Sequence, residues 1–124
     1  MMWTYKARLE KESDVYDGDS FKVTIDLGLR VYHRVRIRLY GINTPEIKTK
    51  DKKEREAGIK ARDWLRNRLK GKEFILRIRG KEKYGRWLAD LYIGKRNIVK
   101  EMLKLGLGVE YYGGKRGQCK EKRK

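Results

Sequence analysis

Two adjacent runs with a strict two-residue period constrain this chain more than any other feature. From Phe21 to Leu27, the residues Phe21, Val23, Ile25 and Leu27 fall on one side, and Lys22, Thr24 and Asp26 on the other. After Gly28 the run from Val31 to Tyr40 repeats the pattern, with Val31, His33, Val35, Ile37 and Leu39 opposed by Tyr32, Arg34, Arg36, Arg38 and Tyr40. Side chains alternate across a strand, so each run is a half-buried β-strand, and the short connection suggests an antiparallel pair. The second strand then carries three arginines on a single face. Upstream, Thr4 to Val15 reads as a weaker strand, with Tyr5 and Leu9 among alternating charges.

Downstream the period changes. Gly41 and Pro45 interrupt the alternation, and the lysine-rich stretch from Lys48 to Lys53 reads as an exposed loop. From Glu54 onward, Ala57, Ala61, Trp64, Leu65 and Leu69 recur at spacings of three and four, which predicts a helix with one apolar stripe ending before Gly71. Phe74, Leu76 and Ile78 alternate again, and Trp87 to Ile93 is a further apolar stretch beyond the turn-like segment Gly80 to Gly85. Asn97 is placed to cap a short helix bearing Ile98, Met102 and Leu105, with Gly106 to end it. Three strands, a helix, two strands and a helix predict an α+β fold. Its centre is a five-stranded β-barrel of the OB type, one end closed by the first helix.

A chain of 124 residues holds one domain. Its 34 Lys and Arg against 17 Asp and Glu give a net charge of +17, which calls for a polyanionic partner, and nucleic acid leads that class. The competing reading is a highly charged soluble protein whose ions pair across its own surface. No apolar run exceeds three residues, so neither a transmembrane helix nor the apolar region of a secretory signal peptide is expected. The expectation is a monomer without membrane contact, either cytoplasmic or the mature form of a secreted protein. The single cysteine, Cys119, excludes an internal disulfide framework and a cysteine zinc site. From Gly113 to Lys124 six residues are Lys or Arg, and only Cys119 is apolar. The domain is therefore expected at 1–112, with a mobile basic tail at 113–124.

In so basic a chain the carboxylates near turns are the informative minority. Asp17-Gly18-Asp19-Ser20 opens a strand. Gly18 permits a tight turn there, and Asp19 shares the parity of Phe21, so its carboxylate is expected to point inward at the barrel end. Asn43-Thr44-Pro45-Glu46 follows the arginine strand, where Pro45 fixes the backbone and exposes carbonyl oxygens of the kind a hard cation binds. Taken singly, the first motif also reads as a plain hairpin turn, and the second as a helix-start signal. Their combination with Arg38 and with Lys83-Tyr84-Gly85-Arg86 gives them weight.

In this order the motifs resemble the staphylococcal nuclease, or thermonuclease, family. The resemblance spans roughly residues 4–112, from Asp17-Gly18-Asp19-Ser20 through Val35 to Glu46 and Lys83-Tyr84-Gly85-Arg86 to Leu105-Gly106-Leu107. It implies a calcium-dependent hydrolase of DNA and RNA with little sequence preference, leaving 3′-phosphate ends. It also implies Ca2+ ligation by Asp19, Asn43 and the Thr44 carbonyl, with Glu46 as general base and Arg38 and Arg86 on the scissile phosphate. Lys83 and Tyr84 match positions that contact a terminal phosphate. Tyr111 or Tyr112 matches a tyrosine that stacks on a base, which would favour single-stranded or frayed duplex substrate. Two departures stand out. The family pattern usually has aspartate at Asn43, so one negative charge is missing, and the third helix common in the family is expected to be reduced or absent. A non-catalytic OB-fold module that binds nucleic acid is the alternative, and Asn43 is the feature that favours it.

Overall fold

The computed structural model describes residues 3–112. The expected first strand is interrupted: β1 covers Trp3–Arg8, a 3-10 turn covers Glu12–Asp14, and β2 covers Val15–Asp17. Next come β3 (Ser20–Asp26), β4 (Tyr32–Leu39), β5 (Gly41–Asn43) and α1 (Lys52–Leu69). The chain continues with β6 (Phe74–Lys81), β7 (Trp87–Ile93), β8 (Arg96–Asn97), α2 (Ile98–Lys104) and β9 (Val109–Tyr111). The expected tail, its mobility and the third helix all fall at 113–124, outside the described residues.

Five of these strands close on themselves in the order β1, β6, β7, β4, β3, and β3 pairs back to β1 with Lys6 opposite Asp26 and Arg8 opposite Thr24. This is the five-stranded OB-type barrel that the alternation predicts. Closure leaves those five without a free edge. One contact is parallel: β4 lies beside β7 with Ile37 opposite Trp87 and Leu39 opposite Ala89. That contact brings the end of the arginine strand next to Arg86, at the entrance to β7. The interior is filled by Phe21, Val23, Ile37, Leu39, Phe74, Leu76 and Leu91, with Phe21 and Phe74 meeting edge to face at 6.4 Å.

Helix α1 covers one end of the barrel. Asp51 caps its start, its carboxylate accepting from the Lys53 and Glu54 amides. The buried face is Gly58, Ala61, Leu65 and Leu69, while Ala57, expected on that stripe, is exposed. The stripe is displaced at its first turn because Gly58 lies against another piece of backbone, as described below. Asn97 caps α2 by accepting from the Lys100 amide, and Gly106, with φ of +73°, follows its end. A two-stranded ribbon of β5 and β9, with Gly41 opposite Tyr111 and Asn43 opposite Val109, has no counterpart in the expected order. Three-residue strands are too short to show a period. His33, on the apolar parity of β4, is exposed at the barrel mouth, where Trp3, Tyr5 and Trp87 help line an apolar hollow of about 270 Å3. Among the described residues no helix is long and apolar enough to cross a membrane.

The two helices are tied by a bidentate pair, Arg68 Nε and Nη2 donating to the Glu101 carboxylate at 3.1 and 3.3 Å. The guanidinium holds the Glu101 carboxyl below its ordinary range. A carboxyl depressed in the folded state contributes stability above its unfolded pKa and loses it as pH falls through the folded value. Arg68→Met should therefore cost about 1 kcal/mol at neutral pH, and the gap to wild type should close in acid once Glu101 is protonated. Urea unfolding across the acid range checks this. A deficit that does not change with pH would mean that the pair holds the helices by packing alone.

Candidate active site

Two turns at the α1 end of the barrel converge. The first joins β2 to β3 and carries Asp17, Gly18 and Asp19; the second runs from β5 to α1 and carries Asn43, Thr44, Pro45 and Glu46. The Asp19 carboxylate links them directly, since its Oδ2 accepts from the Thr44 amide at 2.9 Å. Asp19 is buried, as its parity with Phe21 predicts.

Small residues let the turns come this close. A Cβ on Gly18 would lie 2.8 Å from the Ala61 Cβ of α1 and 2.8 Å from the Thr44 Cγ2. Gly18 lies in a turn, as the sequence suggests, but is absent from the positive-φ positions, so close packing and not a left-handed conformation is what excludes a side chain there. One turn back along α1, a Cβ on Gly58 would stand 2.6 Å from the Pro45 carbonyl oxygen and 3.1 Å from the Glu46 carbonyl carbon. Glu54, four residues before Gly58 and on the same helix face, accepts from the Glu46 amide at 3.1 Å. One face of α1 thus sets the height of both turns.

Between them opens a cleft of about 690 Å3. Its lining includes Asp19, Arg38, Asn43, Thr44, Glu46, Lys83, Tyr84, Arg86 and Tyr111, which are nine of the ten residues singled out above. The tenth, Tyr112, lines a smaller neighbouring hollow and packs on Tyr40 at 5.4 Å between ring centroids. Of the two candidate tyrosines, Tyr111 is the one facing the cleft, with the Arg38 guanidinium 5.8 Å from its ring.

Two ionisable lining residues, Asp17 and Glu82, were not on the expected list. Asp17 was legible as half of the Asp-Gly-Asp motif. Its carboxyl is pushed above its ordinary value, first by burial and then by the charges of Asp19 and Glu46, with Lys48 and Arg86 opposing. Glu82, directly before Lys83, accepts a hydrogen bond from Arg86 Nε, while Arg86 Nη1 reaches Ser20 Oγ at 3.4 Å. Only the i, i+4 spacing of Glu82 and Arg86 could have suggested that pair.

Arg38 is buried, unlike Arg34 and Arg36 of the same face. Its Nη1 donates to the Leu39 and Ile42 carbonyls at 2.9 and 2.8 Å, and lies 3.5 Å from Asp19 Oδ2. Its Nη2 donates to Asn43 Oδ1 at 2.8 Å. The Asn43 side-chain oxygen is thus engaged by a guanidinium.

Every potential cation ligand here is an oxygen: the Asp17, Asp19 and Glu46 carboxylates, the Asn43 amide and the Thr44 carbonyl. That donor set suits a hard divalent cation, and a positive charge there would offset both the burial and the neighbouring carboxylate charges that raise the Asp17 carboxyl. Among the described residues no group of three or more His, Cys, Asp or Glu side chains is arranged to hold a metal by itself. A cation would have to draw on the neutral oxygens and on water as well.

Residues 36–124 match the model of the staphylococcal nuclease homologue family. The chain belongs to this family. It is 32% identical over 91 residues to the probable endonuclease LCL3 of Yarrowia lipolytica, a match covering 70% of this chain and 39% of that protein. A second protein of that name, from Colletotrichum graminicola, is 31% identical over 81 residues, covering 62% of this chain and 30% of the relative. The matched region thus amounts to well under half the length of these curated relatives.

The small-residue face of α1 gives a direct test. Ala is favoured over Gly inside a helix by about 1 kcal/mol, whereas forcing a methyl into filled space costs about 1–3 kcal/mol. Gly58→Ala should therefore destabilise the protein by about 1 kcal/mol in urea unfolding, and Gly18→Ala by more, since it gains no helix propensity. A stabilised Gly58→Ala protein would show that the Pro45 and Glu46 backbone is not held against the helix.

Proposed function

We propose that this chain is a calcium-dependent nuclease that hydrolyses phosphodiester bonds of DNA and RNA with little sequence preference and leaves 3′-phosphate ends. The observation that carries the reading is the meeting, in one cleft of a chain with net charge +17, of the carboxylates of Asp17, Asp19, Glu46 and Glu82 with two arginines. Family membership supports it independently. The catalytic unit is assigned to residues 1–112, and the basic segment 113–124 to general attraction of the polyanion.

Attack of water on a phosphodiester forms a new P–O bond and breaks the bond to the 5′ oxygen, with extra charge on the phosphoryl oxygens in between. Calcium held by Asp19, Asn43 and the Thr44 carbonyl would supply positive charge next to those oxygens. Glu46 would take the proton from the attacking water, and the departing 5′ oxygen would recover one from solvent. Arg38 and Arg86 would donate paired hydrogen bonds to the phosphoryl oxygens, a geometry lysine lacks. Both arginines already have acceptors, so a phosphate must replace Glu82 at Arg86 and compete with Asn43 and two carbonyls at Arg38. Lys83 and Tyr84 would hold a neighbouring phosphate. Tyr111 would offer its ring to a base, which favours single strands and frayed ends.

Digestion of single-stranded DNA with calcium, and with a chelator in its place, tests the reading. Wild type should cleave only with calcium. Glu46→Gln and Arg86→Ala should each lose at least about two orders of magnitude in rate. Purified protein that binds DNA without calcium-stimulated cleavage at any pH would replace the enzyme with a binding module.

A further inference from the structure

The three outward arginines of β4 do not share one fate. Arg34 pairs with buried Asp14 at 3.0 Å, and Arg38 turns into the cleft floor. Arg36, between them, stays exposed, and its described hydrogen bond is to the Tyr84 carbonyl at 3.2 Å. Directly opposite Arg36 on β3 is Lys22. Residues facing one another on neighbouring strands put their side chains on the same face of the sheet. Like charges in that position repel. Among the described residues no carboxylate pairs with either cation. The protein neutralises other arginines of the barrel surface, as in Arg79 with Asp90 and Arg86 with Glu82. The uncompensated pair also adjoins the cleft. Arg36 reaches over the turn that carries Lys83 and Tyr84, and its Nη2 lies 3.2 Å from where a Cβ on Gly85 would be. Along β4, Arg36 precedes Arg38 on the same face at a spacing of about 7 Å.

We infer that Arg36 and Lys22 form a second phosphate subsite, which holds the phosphodiester next to the one seated at Arg38 and Arg86. The inference rests on the nucleic-acid reading of the cleft and gives it a direction: the strand runs from the cleft along the outer face of β3 and β4. Two cations held together by the sheet, with no carboxylate between them, favour a bridging phosphate over water because its charge removes their repulsion. The hydrogen bond to Tyr84 also places the Lys83 turn, so Arg36 contributes by charge and by position.

The test measures binding without turnover. Fluorescent oligothymidylate is titrated in chelator at several salt concentrations, because each phosphate contact to a single strand contributes about 0.7 to the slope of log affinity against log salt. Arg36→Gln and Lys22→Gln should each weaken binding several-fold and flatten the slope, while Arg36→Lys retains the slope. Lys95→Gln makes the same charge change at the far end of β7 and should leave the slope near wild type. A thymidine dinucleotide, too short to cover both subsites, should bind wild type and Arg36→Gln alike. Lys22→Gln removes charge without removing the described hydrogen bond to Tyr84, so a loss shared by the two variants is not a disturbed turn. Slopes unchanged in both variants, or matched by Lys95→Gln, overturn the subsite. Tight binding by a wild type that does not cleave with calcium would sink the nuclease reading and leave the subsite standing, whereas absence of salt-dependent binding would overturn both.

Discussion

The arrangement of the cleft depends on how near two turns can come to one helix. Gly58 and Ala61 present almost no side chain on the inner face of α1, so the Pro45 carbonyl and the Gly18 backbone settle against the helix itself. Glycine in a helix interior is unfavourable by about 1 kcal/mol relative to alanine, and only a close approach of this kind offsets it. With both turns on one rigid element, the separation of Asp19 from Glu46 follows from helix geometry. The hydrogen bond from the Thr44 amide to Asp19 then joins the turns to each other.

The barrel supplies the second constraint. Its parallel contact between β4 and β7 joins segments distant in sequence, so that Arg38 and Arg86 line the same cleft. Parallel neighbours need a long crossover connection, and here the chain from β5 through α1 and β6 supplies it before β7 enters beside β4. The ribbon of β5 and β9 acts similarly, fastening the turn after Asn43 to the strand that carries Tyr111. These long-range contacts gather residues as distant in sequence as Asp17 and Tyr111, at the cost of burying acids close enough together to raise the Asp17 carboxyl.

Much of this was legible in the sequence because strong periodicity reports burial. The alternation from Phe21 to Leu27 and from Val31 to Tyr40 specified the hairpin at the heart of the barrel, and the three-and-four spacing specified α1. What stayed hidden has physical reasons. Strands β5 and β9 are too short to show a period, and the displacement of the α1 stripe to Gly58 depends on a loop that only folding brings to it. The role of Gly18 looked conformational because glycine between two aspartates usually marks a turn, whereas what forbids a side chain there is the Ala61 methyl. Arg34, Arg36 and Arg38 look equivalent in sequence. Their separation into an ion pair, an exposed cation and a buried fork follows from the positions of Asp14 and Asn43 across the sheet.

If the two turns act as one site, a cation between them and a phosphate at the arginines must influence each other's binding, and by the same factor in both directions. The most direct measurement is the affinity of Glu46→Gln for oligothymidylate with and without calcium, repeated in Glu46→Gln carrying Asp19→Ala. The account predicts binding about ten-fold tighter with calcium in the first protein, and no such gain in the second. Equal affinity with and without calcium in both, or a gain that survives the loss of Asp19, would contradict a cleft in which cation and phosphate are held together.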